Sequence, residues 1–233
     1  MAAIILKIIP MIKMVVFDMA GTTVDEDNVV YKTLQKVIND AGYNFTLQQV
    51  LAVGAGKEKL QAIKDILKLG VKASKEGLPE NLYTIFDKEL ATAYNTIDIK
   101  PQPGALEVFK ELQQKNILVV LNTGYNKTTA NSLLNKLHWQ QGEQINGLVT
   151  ATDVQNNRPL PDMIQLAMKQ FFITHANEVA KVGDSIIDIE EGKNAGCALS
   201  IGITTGAHTM AQLQTAKPDY IIHHLMELLP LLN

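Results

Sequence analysis

Cysteine is nearly absent. Cys197 is the only one in 233 residues, which excludes an internal disulfide and fits a reducing, cytoplasmic setting. Basic runs, Lys/Arg stripes and patches that mix aromatics with cations are missing too, and the net charge is −3, so no nucleic-acid partner is expected. No uninterrupted apolar run is long enough to cross a membrane. The nearest approach, Met1 to Phe17, is broken by Lys7, Pro10 and Lys13. It meets Asp18 without an A-x-A-like cleavage site, so no signal sequence is expected either. We read residues 1–10 as an N-terminal extension, with Met11 or Met14 equally suited as the natural start. There is no internal repeat and no low-complexity stretch. His138, His175, His208, His223 and His224 are scattered without metal-ligand spacing, and Trp139 and the methionines read as packing residues.

What is present can be laid out around residues 14–23. An apolar, β-branched run ends abruptly at Asp18, then Met19, Ala20, Gly21, Thr22 and Thr23 follow. That is the pattern of a buried strand, Lys13 to Phe17, running out into a tight polar loop. In open α/β sheets the carboxyl edge of the strands is where ligands bind. From Asp27 to about Tyr94 the spacing is helical only. Val30, Leu34, Val37 and Ile38 mark one helix, closed by Gly42, and Thr46 can cap a second over 47–53. A third follows Gly54, Ala55 and Gly56 and runs 57–69, and Leu82, Ile85, Phe86, Leu90 and Ala93 mark a fourth. After Pro101 and Pro103, strands and helices alternate. The helices fall at 104–115, 127–137, 160–172, 186–195 and 208–216, and the strands at 117–121, about 148–151, 179–182, 199–203 and 220–223. A short apolar helix ends the chain. This alternation predicts an α/β fold with a doubly wound, mainly parallel sheet. The expected division is a core of residues 11–25 and 99–233 around an all-helical cap of residues 26–98.

The carboxyl ends of parallel strands share one edge, so the loops after them converge. Those loops hold Asp18 with residues 20–23; Asn122, Thr123, Gly124 and Tyr125; Arg158 with Pro159 and Pro161; and Gly183, Asp184 and Ser185 with Asp188. The set suits phosphoryl transfer. Asp18 can attack phosphorus and form an aspartyl-phosphate. Asp18, Asp184 and position 20 are the expected Mg²⁺ site. Thr22, Thr123 and the Gly124 amide can donate to phosphate oxygens with Tyr125 beside them, Gly124 permitting close backbone approach. Arg158 supplies positive charge to the transition state. Ser185 and Asp188 read as supporting, loop-orienting groups. Taken singly these residues have ordinary explanations: an N-cap, a turn, a solvated arginine. The order and the shared edge give them meaning.

The D-x-A-G-T-T of residues 18–23, the strand ending in Thr123, Arg158 before Pro-x-Pro, and Gly183-Asp184-Ser185 with Asp188 together resemble the haloacid dehalogenase superfamily. The resemblance covers nearly the whole chain. It implies a Rossmann-like core, a Mg²⁺-dependent aspartyl-phosphate mechanism and a cap that opens and closes over the site. Most phosphatases of the superfamily carry D-x-D, the second aspartate protonating the leaving group and later activating water; here Ala20 stands in its place. General acid–base assistance is worth roughly 10²–10⁴-fold. The phosphonatase branch, which cleaves the C–P bond of phosphonoacetaldehyde, also has alanine there, because a cap lysine condenses with the aldehyde and the iminium absorbs the bonding electrons. The Thr123-Gly124-Tyr125 run, Arg158-Pro159 and the Glu191-to-Gly196 helix end look like that branch as well.

Lys57, just after the glycine-containing cap loop, is the expected condensing amine; the other reading makes it a surface helix residue beside Glu58 and Lys59. Two positions depart from the branch. Leu60 stands where phosphonatases carry a histidine, and Asp27, Asn28 and Val29 stand where they carry a cysteine. The expectation is a phosphonatase-like, Mg²⁺-dependent hydrolase acting on a small phosphonate or phosphate metabolite. A phosphomonoesterase with a different general acid, in which Tyr125, Lys57 or bound water replaces the missing group, and a non-catalytic phosphate-ligand binder are the alternatives. The apolar N-terminal extension and a cap helix offer the seam of a homodimer.

Overall fold

The computed structural model describes residues 11–70 and 76–232. The N-terminal extension, and with it half of the expected dimer seam, lies outside the described residues. Six strands form one sheet in the order β5-β4-β1-β6-β7-β8, every neighbouring pair parallel. They are β1 (Met14–Phe17), β4 (Leu118–Thr123), β5 (Gly147–Thr150), β6 (Val179–Gly183), β7 (Leu199–Ile203) and β8 (Tyr220–Ile222). The first strand is therefore central, with Val15 level with Val119 on one side and Ala180 on the other.

Both faces of the sheet are covered, and β1 shows how four residues achieve it. Val15 and Phe17 join a core with Phe109, Leu112 and Leu133, whereas Met14 and Val16 join another with Met163, Ile164 and Ala167. Alternate side chains thus serve opposite layers, as a pleated strand requires. The layers are built by α5 (Ala105–Gln114) and α6 (Lys127–Leu137) against the first face and by α7 (Asp162–Gln170) against the second. Helices α8 (Ile186–Ala195) and α9 (Met210–Thr215) complete the α/β alternation. This is the doubly wound, Rossmann-like arrangement.

Between β1 and β4 come four helices: α1 (Val29–Asp40), α2 (Leu47–Gly54), α3 (Lys59–Leu67) and α4 (Leu78–Thr96). Their entry and exit are tied by an antiparallel ribbon of β2 (Val24–Asp25) and β3 (Lys100–Pro101), with Val24 opposite Pro101. Strands of two residues leave no periodicity, and the sequence pattern does not reveal them. Helix α3 starts two residues later than its apolar spacing suggests. Glu58 is its N-cap, the carboxylate accepting from the amides of Leu60 at 2.9 Å and Gln61 at 2.8 Å, which leaves Lys57 outside the helix. The final apolar segment, Leu225–Leu232, is a 3₁₀ helix holding Pro230. Among the described residues no helix is long and apolar enough to cross a membrane.

Phe109 is the pivot of the first core layer, its ring 5.5 Å from that of Phe17 and 5.2 Å from that of Trp139. Phe109→Ala removes both contacts from a site with no room for water. It is expected to cost about 3–5 kcal/mol in urea unfolding, with the m-value unchanged.

Candidate active site

Three strand ends and the loop before α7 converge at the carboxyl edge of the parallel sheet. Asp18 follows β1, Asn122 and Thr123 close β4, and Asp184 follows β6, while Arg158 enters from the loop before α7. Asp188 is held by a capping box: Ser185 is the N-cap of α8 and accepts from the Asp188 amide, and the Asp188 carboxylate accepts from the Ser185 amide at 3.2 Å. Carboxylate oxygens of Asp18, Asp184 and Asp188 all lie within 4.8 Å of one another, and all three residues are buried.

Two buried cations face this cluster. Arg158 Nη1 lies 2.6 Å from Asp18 Oδ1 and 3.0 Å from Asp188 Oδ1, and its Nε is 3.0 Å from Glu191 Oε2. Lys181, in the middle of β6, reaches Asp188 at 2.9 Å and donates to Asn122 Oδ1 at 2.6 Å. Asn122 in turn donates to both Glu191 oxygens, at 2.8 and 3.0 Å. Burial alone pushes the Asp188 carboxyl up, but Arg158 and Lys181 overcome it and hold it below its ordinary value. Asp18 is raised, by burial first and Asp188 second, with Arg158 and Lys181 opposing. Asp184 is raised well above its ordinary value by burial and by the charges of Asp18 and Asp188.

Thr22 Oγ1 donates to Asp184 at 3.1 Å, and the Ala207 amide donates to its other oxygen. Counted as ionised, Asp18, Asp184, Asp188 and Glu191 would outnumber Arg158 and Lys181 by two negative charges in a nearly dry space, which is why Asp184 is raised. The excess centres on Asp184, which has hydrogen bonds but no cation of its own. Oxygen donors with that excess fit a hard divalent cation. Asp18 and Asp184 are the side chains placed to hold one. Ala20 can offer only its main-chain carbonyl, and Asp188 is already engaged by both buried cations.

The helical segment meets this edge through glycine. A Cβ on Gly124 would lie 2.5 Å from the Lys57 carbonyl oxygen, and one on Gly56 would lie 2.3 Å from Ser185 Oγ. The close approach at Gly124 is thus to the helical segment's backbone. Lys57 is placed by these contacts, yet its amine turns to Asp65 at 2.7 Å and is not brought to the carboxylates. Lys59 is. Its side chain is buried, with Nζ 5.1 Å from the Tyr125 ring centroid and 5.8 Å from that of Tyr31, donating to the Lys57 carbonyl at 2.7 Å. Burial lowers its pKa to about 8, the charge of Asp18 opposing. Tyr125 shares a 2.6 Å hydrogen bond with Tyr94, which donates to buried Glu26 at 3.1 Å. Thr123 Oγ1 accepts from the Tyr125 amide at 3.2 Å and so shapes the loop that carries the ring.

The family model for haloacid dehalogenase-like hydrolases matches residues 15–201, from β1 into β7. The chain belongs to that family. This haloacid dehalogenase-like hydrolase is similar to the phosphonoacetaldehyde hydrolase of Latilactobacillus sakei subsp. sakei (strain 23K), at 28% identity over 93% of each chain. It is also similar to that of Hahella chejuensis (strain KCTC 2396), at 30% identity over 87% of this chain and 71% of the other. The crystal structure of a phosphonoacetaldehyde hydrolase like protein from Oleispira antarctica shares its fold, with a TM-score of 0.83, 24% identity, and coverage of 96% of this chain and 92% of that one.

Sequence reasoning passed over several groups in the hydrolase site. Lys181 carried a signal, being a charge inside a buried parallel strand, a place that tolerates one only when it is paired. Lys59 carried one too: with Ala62, Ile63, Ile66 and Leu67 it lies on the buried stripe of α3. Glu26 and Tyr94 carried none, because α1–α4 packing alone brings them together.

Two outcomes are expected. Gly124→Ala should hold the helical segment off the core, lowering hydrolase turnover by roughly 100-fold or more while the melting temperature moves only a few degrees. Burial pushes Glu26 up to about 7 from 4.5, so the fold binds its proton more tightly than the unfolded chain does. The stability this confers is complete below about pH 4.5 and is lost as pH rises through 7, by an amount on the order of 2–3 kcal/mol. Urea titrations from pH 5 to 8 should show that decline flattened in Glu26→Gln.

Proposed function

We propose that this hydrolase moves a phosphoryl group from a small phosphonate aldehyde through Asp18 to water, in the cytoplasm, with residues 26–98 acting as a cap over a core of 11–25 and 99–233. The observation that carries the reading is the Lys59 amine. It is buried against the rings of Tyr31 and Tyr125 and depressed to about 8 by burial with the charge of Asp18 opposing, in a chain whose position 20 is an alanine with no acid to give a leaving alkoxide. A substrate that needs no such acid is one whose electrons drain into an iminium. The names of the similar curated proteins support the same substrate class.

In this reading Lys59 Nζ attacks the carbonyl carbon and water leaves, forming the iminium. Asp18 Oδ then attacks phosphorus as the C–P bond breaks, the bonding pair passing into carbon as the enamine. Arg158 opposes the rise that burial imposes on Asp18 and offers its charge to the transferring group. Thr22, Thr123 and the Gly124 amide line the phosphate end. Water then cleaves the aspartyl-phosphate, and the enamine is protonated at carbon and hydrolysed from Lys59. Mg²⁺, held by Asp18, Asp184 and the Ala20 carbonyl, would neutralise phosphoryl oxygens as a Lewis acid. Lys57, bound to Asp65, serves the cap surface.

The test is phosphate release from phosphonoacetaldehyde and a panel of small phosphomonoesters, with and without Mg²⁺. Turnover of the aldehyde is expected to fall by roughly 10³-fold or more in Lys59→Arg, which keeps the charge but not the nucleophile, and by no more than about 3-fold in Lys57→Ala. Turnover of esters alone, unaffected by Lys59→Arg, would replace this reading with a phosphomonoesterase. Asp18→Asn that binds phosphonate as the parent does, with no turnover in either protein, would mark a non-catalytic binder.

A further inference from the structure

The phosphoryl chemistry at Asp18 leaves one buried chain of titratable groups without a task. Glu26, between β2 and α1, is 4% exposed, and its Oε2 accepts from the Val30 amide at 3.0 Å and the Tyr94 hydroxyl at 3.1 Å. Tyr94 and Tyr125 share the 2.6 Å bond between their hydroxyls, their rings edge to face at 6.4 Å. The Lys59 amine stands against the Tyr125 ring. Four segments distant in sequence supply the parts: the loop before α1, α4, the loop after β4 and the start of α3.

We propose that Glu26, Tyr94 and Tyr125 form a proton shuttle for Lys59, taking a proton from its ammonium and returning it to the oxygen that leaves as water when the amine condenses with a carbonyl. The proposal rests on the reading of Lys59 as the condensing amine. Position 20 and position 62, one helical turn beyond Lys59, are both alanine, so neither supplies the proton.

The transfers balance. From its place against the Tyr125 ring the Lys59 ammonium swings from the Lys57 carbonyl to that ring's hydroxyl. A proton then passes through the two hydroxyls to the Glu26 carboxylate, leaving a neutral amine and a carboxylic acid. The amine forms the N–C bond, the carbonyl π pair moves to oxygen, and the ammonium N–H proton follows it to give the carbinolamine. Glu26 then returns its proton by the same hydroxyls to that oxygen. The C–O bond breaks with its pair on the departing water, and the nitrogen lone pair closes the iminium. The carboxylate is regenerated and no proton is consumed.

The groups facing Glu26 favour this traffic. They are Tyr31 from α1, Lys59 from α3, Tyr94 from α4 and Tyr125 from the loop after β4. Burial raises all three tyrosines well above their ordinary values, so they stay hydroxyls that pass protons without holding charge. Glu26 at about 7 and Lys59 at about 8 differ little, which keeps each transfer close to thermoneutral. The active state carries one proton between the pair. Turnover should therefore be bell-shaped in pH, falling below about 7 where both groups are protonated and above about 8 where neither is.

The experiment uses the full chain, phosphonoacetaldehyde as probe, and borohydride reduction followed by mass analysis of the Lys59 peptide. Wild-type protein that gives no reduced adduct on Lys59 would overturn the underlying reading and the shuttle together, whatever Glu26 does. With the adduct present, Glu26→Gln is expected to slow its formation roughly 10–100-fold and leave KM within about 2-fold. The bell should give way to a rate that climbs with pH through the Lys59 value. Adduct formation at the wild-type rate with the bell intact would overturn the shuttle and spare the amine. Tyr94→Phe keeps the ring and the carboxyl but cuts the chain. It is expected to slow adduct formation to the same degree, and wild-type rates in it would sink the proposal even if Glu26→Gln fails to fold.

Discussion

Arg158 and Lys181 sit almost wholly out of water among Asp18, Asp188 and Glu191, holding the Asp188 carboxyl below its ordinary value and opposing the rise that burial imposes on Asp18. A buried ion pair is weak evidence of stability, since desolvating both partners costs about what their attraction returns, but removing one partner is strongly destabilising. The network is therefore better understood as a device for position. Arg158 ties the loop before α7 to the end of β1 and the first turns of α8. Lys181 ties β6 to α8, and Asn122 brings in β4. Three strand ends and the loop before α7 are fixed relative to one another by charge, and Asp18 inherits that order.

The helical segment follows a different rule. Its contacts with the carboxyl edge of the sheet use close glycine approaches and single hydrogen bonds such as Tyr94 with Tyr125, where the core uses buried charge. Gly124 leaves room for the Lys57 main chain and Gly56 for the Ser185 side chain, and Lys59 sits beside Tyr125 without a single ion pair between its amine and the core carboxylates. The edge and the helical segment are thus joined by contacts of a different kind from those that order the edge itself.

The sheet and its loops were legible because each buried strand is an apolar run stopped by a polar residue, and β1 through β7 all announce themselves that way except the two-residue ribbon. Asp18, Asp184 and Arg158 could be placed on one edge by topology alone. The lysine could not. Lys57 and Lys59 differ only in which side of the α3 cap they fall on, and that was decided by the Glu58 carboxylate reaching two amides. Helix ends are the least certain feature of any periodic pattern, and here one end separates a surface amine from a buried one. Glu26 was beyond reach for another reason. Its partners are 68 residues away at Tyr94 and farther still at Tyr125, a juxtaposition made by packing and written in no local spacing.

The place of β1 at the centre of the sheet has a consequence for biosynthesis. Met14 pairs with Leu118 and Val179, so the strand that leads into Asp18 emerges from the ribosome roughly 100 residues before the nearer of its neighbours. At about 5–20 residues per second it waits on the order of 5–20 s as four bare apolar residues. The ribbon of Val24–Asp25 with Lys100–Pro101 shortens what remains of the search. Once the intervening helices have drawn its two halves together, the loop left to close between β1 and β4 is a few tens of residues instead of a hundred. The segment inserted into the middle of the sheet's wiring is also what brings the two ends of that wiring within reach of each other.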